Sequence, residues 1–131
     1  MKKEEYIEYW LKSAKKDYNT MMNLLDSKDY HWALFMGHIV IEKIIKAIFI
    51  HNNEENIPPR IHNLILLSEK AKLYPNDSQK DLLDLITTFN INTRYPDYKG
   101  EFYKKCDEEF TRKNIERIED LRKWLLQKIK K

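Results

Sequence analysis

"HIVIEKIIKAIFI", residues 38–50, is the most apolar stretch of the chain and decides how the rest is read. It carries Glu42, Lys43 and Lys46 and falls short of the ~20 apolar residues a membrane-spanning helix needs. Working outwards, it lies inside a segment over 29–51 in which Ala33, Leu34, Gly37, Ile41, Ile44, Ile45 and Ile48 leave little polar arc. A helix apolar over most of its circumference has neighbours on most sides. The spacing therefore predicts a central helix, and the remaining segments must supply its walls. Gly37 inside it costs roughly 1 kcal/mol relative to Ala, which a close helix approach would offset.

The walls are legible on both sides. Over 4–26, Ile7, Leu11, Ala14, Tyr18, Met21 and Leu25 recur at steps of three and four, one apolar stripe on a helix. "DSKDY" then offers Ser27 or Asp29 as N-caps. Downstream, "HNNEENIPPR" must break the chain, because Pro lacks an N–H and disfavours helix in the residue before it. A third helix is expected over 62–73, with Leu64, Leu67 and Ala71 inward. Ser78 with Asp81 reads as a capping pair for a fourth, reaching about residue 91 and burying Leu82, Leu85, Ile86 and Phe89. A last helix over 107–129 carries Ile115, Ile118, Leu125 and Ile129 on a stripe broken by Arg122. No alternating strand pattern or repeat is present. The expected fold is all-α: five helices in an up-and-down antiparallel bundle forming one domain over 1–131.

Composition fits that reading and narrows the function. The chain has 131 residues, 42% apolar and 34% charged, too apolar for a disordered chain and too charged for a membrane protein. Its net charge is 24 − 21 = +3. From 112 to 131 eight Lys or Arg stand against three Asp or Glu, an excess of 8 − 3 = +5, read as a solvated helix face with a basic tail. The N-terminal "MKKEEYIEYW" has no apolar core after its lysines, so it does not read as a signal peptide. The one cysteine, Cys106, rules out an internal disulfide and a multi-Cys metal site. The four His are not set at ligand spacing, so no metal is expected, and no cofactor motif occurs. A reducing cytoplasm is the expected location.

Two places hold chemistry-bearing side chains. On the central helix His38, Glu42 and Lys46 are each four residues apart, a polar stripe on an apolar rod. It marks either the solvent side or a charged patch for an anion or a partner. Lys43 lies about 100° round from Glu42. His62 follows "PPR" and can cap the third helix or pin the proline loop. The second place is "NTRYPDYKGEFYKKC", residues 92–106, where Pro96 and Gly100 forbid a continued helix. Arg94 there can present a planar fork of donors, and Asp97 can accept from it or from turn N–H groups. Tyr95, Tyr98, Phe102 and Tyr103 either fold the loop onto the core or stack on a base.

Taken together, "YWLKSAKKDYNTMMNLL" (9–25), "YHWALFMGHIVIEKIIKAI" (30–48), "PPRIHNLILLSEKA" (58–71) and "ITTFNINTRYPDYKGEFYKKC" (86–106) resemble the HEPN family, the higher eukaryotes and prokaryotes nucleotide-binding domain. The resemblance implies a small helical bundle, usually a homodimer, that often works beside a minimal nucleotidyltransferase as half of an enzyme-like assembly or a toxin–antitoxin pair. It places Glu42, Lys43, Lys46, His62, Arg94, Tyr95 and Asp97 at the family's recurring polar positions, and implies a nucleotide site on Lys43, Lys46, His62, Arg94, Tyr95 and Asp97. One branch of the family cleaves RNA without metal, using an Arg followed a few residues later by a His. Here Arg60 and His62 have one residue between them, and no His follows Arg94, Arg112, Arg117 or Arg122. The expectation is thus a dimeric binding subunit with no catalysis of its own; a ribonuclease is the alternative if Arg94 and His62 meet from different helices.

Overall fold

The computed structural model describes residues 1–129; the last two lysines of the basic tail lie outside them. Among the described residues every regular element is a helix: α1 (Lys3–Asp26), α2 (Tyr30–Asn52), α3 (Leu64–Lys70), α4 (Asp77–Arg94), α5 (Glu101–Lys105) and α6 (Glu108–Gln127). The five expected segments form, and α5 is a short addition inside the Pro-Gly loop. None of these helices is long and apolar enough to cross a membrane.

α2 is the axis. It packs against α1, α3, α4 and α6, and its Leu34, Ile41, Ile45, Ile48 and Ile50 are fully buried. Lys3 Nζ donates to the Asn53 carbonyl at one end of the α1–α2 pair while Lys43 meets Asp17 farther along, so the two run antiparallel. Tyr30 bonds Glu108 and Gly37 faces Ile118, so α6 runs in the same direction as α2. α4 opposes both, since Phe89 meets Phe110 while Leu82 lies beside Leu121 and Trp124. A Cβ at Gly37 would stand 2.6 Å from Ile118 Cδ1. The missing side chain is what lets α6 settle on α2.

The ends of the helices depart from the expected ones for reasons of capping. α3 starts at Leu64, because Asn63 is the N-cap and its side chain accepts from the Leu66 N–H at 3.0 Å. That leaves His62 outside the helix. α4 begins at Asp77, capped by Asn76 and Gln79, whose side chains each accept from the other's backbone N–H at 2.8 Å; Ser78 and Asp81 do not cap it. At its other end α4 runs three residues past Ile91. It stops only where Pro96 pushes Tyr95 out of helical geometry. Arg94 therefore sits on the last helical turn, not in the loop. At the first turn, Asp29 holds the N-cap position of α2 but makes no side-chain cap bond, and Ser27 closes α1. The break in the α6 stripe has a partner: the Arg122 guanidinium lies 4.0 Å from the Tyr18 ring centroid and 3.0 Å from Glu119.

Candidate functional site

The polar stripe of α2 does not face water. His38, Glu42 and Lys46 are all buried, and each is paired. Glu42 stands between two donors: Oε2 is 3.2 Å from Lys46 Nζ, and Oε1 is 2.6 Å from His62 Nδ1. A carboxylate placed in an apolar helix bundle needs such partners, since burying it alone costs several kcal/mol. Lys46 has a third neighbour in the Trp10 ring, 5.1 Å from its nitrogen. On the far side of the pair, the His62 side chain is 55% exposed. Because a carboxylate only accepts, His62 carries a proton on Nδ1, and among the described residues its Nε2 has no hydrogen-bond partner.

A second line of hydrogen bonds starts one turn back on α2. His38 Nε2 is 2.8 Å from the His62 carbonyl, and His38 Nδ1 is 3.1 Å from Asn90 Nδ2 on α4. Arg94 Nε, one turn further along α4, donates to Asn90 Oδ1 at 2.6 Å. The ends dictate the orientation of the middle. A guanidinium only donates, so the Asn90 oxygen faces Arg94 and its NH2 faces His38; a carbonyl only accepts, so His38 is protonated on Nε2. Burial, the largest influence, lowers the His38 pKa below its usual value, while its bond to the His62 carbonyl and the charge of Glu42 act against that. The ring is the neutral tautomer this chain of bonds requires.

The six residues singled out in the sequence therefore divide. His62, Lys46 and Arg94 belong to one network running through His38, Glu42 and Asn90. Lys46 stands at its far end from Arg94 and is occupied by Glu42. Arg94 is exposed, and among the described residues only its Nε is bonded. Lys43 is elsewhere: it turns to α1, 2.6 Å from Asp17 and 2.7 Å from Ser13 Oγ, and does not join the others. Tyr95 and Asp97 line a cleft of about 540 Å³ beside α4 and α5, with Phe89, Phe102 and Phe110 among its walls. The Tyr95 ring connects the two regions, its centroid 5.1 Å from the Arg94 guanidinium carbon. Asp97 spends its carboxylate on the loop, accepting the Glu101 N–H at 3.0 Å. Of the loop aromatics Phe102 folds back against Phe89 and Tyr103 stands edge-on to His31 on α2; Tyr95, Tyr98 and Tyr103 are exposed.

Asn90 and Trp10 were not singled out in the sequence, and His38 was named only as part of the α2 stripe and not among the binding residues. A signal for two of them exists, because His38 completes the four-residue spacing with Glu42 and Asn90 precedes Arg94 by four. Trp10 carries no such signal. Cys106 is buried and its thiol is pushed up to about 12, chiefly by burial, which leaves it a poor nucleophile. Among the described residues no three His, Cys, Asp or Glu side chains are grouped to hold a metal.

A family model described as the HEPN domain matches residues 7–129. No curated protein and no solved structure matches the chain.

Proposed function

The chain belongs to the HEPN family, and from that premise we propose that it is a dimeric binding subunit that receives a phosphate-bearing ligand, a nucleotide, at Arg94 and His62. The observation that carries this reading is the state of Arg94. Its Nε is clamped by Asn90, while the two terminal nitrogens of an exposed side chain are unbonded among the described residues. A guanidinium held in this way keeps a planar pair of donors suited to a phosphate, with little entropy left to lose. The exposed His62 ring supplies a further polar edge, and the Tyr95 ring beside Arg94 offers a face for a base. Lys46 serves this site by holding Glu42, and through it His62, and does not itself meet the phosphate. Lys43 has no part in it.

The wider role, as the partner of a minimal nucleotidyltransferase in a toxin–antitoxin-like pair in the cytoplasm, is proposed on family membership; such an enzyme encoded beside the gene would support it, and a gene always found apart from one would count against it. The ligand site is tested by calorimetric titration with ATP and GTP. Wild type should bind, and Arg94→Ala should weaken binding at least tenfold, the value of ~1.4 kcal/mol from one charge-assisted contact. Absence of heat with wild type, or equal affinity in the variant, overturns the assignment.

One observation favours a second reading. The Glu42–His62 pair holds an exposed histidine by its Nδ1, with Nε2 unpartnered among the described residues, the arrangement of a base oriented by a carboxylate. With Arg94 placed to stabilise phosphate charge, this would be a metal-independent ribonuclease. Incubation with total RNA separates the readings: fragments made by wild type in the presence of a chelator, and lost in His62→Ala, select the enzyme.

A further inference from the structure

We propose that His38 and Asn90 are positioning residues, a buried relay that sets the Arg94 fork and the His62 segment in a fixed relation although neither relay residue reaches a ligand. The proposal rests on the reading that Arg94 and His62 form the binding edge. His38 is 0% and Asn90 2% exposed, so their polar atoms serve only each other and the two ends. Three bonds run head to tail: Arg94 Nε–H to Asn90 Oδ1, Asn90 Nδ2–H to His38 Nδ1, and His38 Nε2–H to the His62 carbonyl. They connect the last turn of α4 to the segment before α3 through the middle of α2. Residue 62 is thereby held twice from α2, at its backbone by His38 and at its ring by Glu42. The charged and titratable groups facing His38 are Glu42 on its own helix, His62 before α3 and Arg94 on α4.

Stability alone does not call for this choice. An apolar pair of matched shape would remove both partners of the Asn90–His38 bond at little cost, and of the two ends left over, the exposed Arg94 can turn to water, so only the part-buried His62 carbonyl would be short of a partner. What apolar residues would lose is direction. Each bond here has one allowed polarity, so rotation of the Asn90 amide would turn NH2 groups against Arg94 and the His38 ring would lose its acceptor role. The relay thus makes the orientation of the guanidinium depend on a proton held on one particular nitrogen of His38.

The test reads the relay without a ligand, by nitrogen-resolved NMR of the histidine rings and of the arginine side chains. In wild type, His38 should be neutral and protonated on Nε2, and Arg94 Nε–H should give a shifted, slowly exchanging signal. Asn90→Ala should abolish that signal. Asn90→Asp should preserve it, since Asp still accepts from Arg94, but should move the His38 proton pattern, because Asp has no N–H for Nδ1. The double change His38→Leu with Asn90→Leu should retain the fold and lose the Arg94 signal. An Arg94 signal unchanged in Asn90→Ala, or a wild-type His38 protonated on Nδ1 alone, overturns the proposal. Titration with ATP then judges the functional reading separately. If wild type binds, the double-Leu variant should lose roughly tenfold in affinity, and unchanged affinity overturns the positioning role. If wild type binds no ATP, the binding edge fails while the NMR signals still decide the relay.

Discussion

Lys43 and Lys46 stand three residues apart on α2 and have different energetic meanings. Lys46 is buried beside a buried carboxylate; Lys43 pairs with Asp17 at side chains 23% and 21% exposed. Breaking a buried pair costs about 3–5 kcal/mol where the remaining charge is stranded, and the low end applies here because Glu42 keeps His62. A partly solvated pair is worth under ~1 kcal/mol. Lys46→Ala should therefore lower stability by about 3 kcal/mol in urea denaturation, and Lys43→Ala by no more than about 1. Equal effects would show that Glu42 is better hydrated than its position implies. The same contrast explains why a lysine expected to meet phosphate serves instead as an internal counter-ion. Its chain position placed it on the right helix, and burial assigned its partner.

At the scale of the element, α2 carries the most information and α3 the least. The near-complete apolar surface of α2 places it centrally whatever the loops do. Gly37 is where that placement becomes specific. Gly37→Ala gains up to ~1 kcal/mol in helix propensity, but its new methyl would stand 2.6 Å from Ile118 Cδ1, at a buried side chain with little room to turn. The expected outcome is a net loss of about 1 kcal/mol. Adding Ile118→Val deletes the clashing carbon, so the double variant should be more stable than the sum of the two single changes predicts, read from their thermal midpoints. Strict additivity would mean that α6 approaches α2 less closely. The short α3 was harder to place because one good cap outweighs a stripe: Asn63 closes the helix start two residues later than the apolar spacing proposes, and that shift frees His62 to reach Glu42.

At the scale of the whole molecule, the buried network joins α2, α4 and the segment before α3, so its protonation state bears on global stability. The lowered pKa of His38 means that the unfolded chain takes up this proton more readily than the folded one. Its contribution is complete above the ordinary value of 6.5 and is lost as pH falls below it towards the lowered native value. His31, also lowered by partial burial, acts in the same direction. Wild type should therefore lose thermal stability between pH 7.5 and 5 by more than His38→Gln does over the same interval, with the His31 share common to both. A parallel decline in the two proteins would remove His38 as the cause.

The all-helical class, the central place of α2 and the break at Pro96 were legible in the sequence by itself, because each follows from a 3.6-residue apolar period or the exclusion of Pro from helix interiors; that α4 carries Arg94 on its last turn was not. The candidate site was legible only in part. His62, Lys46 and Arg94 are separated by tens of residues, and no spacing rule says that an Asn and a His will bridge them. Nor does any local rule send Lys43 to Asp17 while Lys46 turns to Glu42; on an isolated helix both are simply lysines. The tertiary structure decided these matters, because a buried polar group must find its partner wherever packing brings one. That partner is fixed by which helices meet, a property of the assembled bundle and not of any one segment.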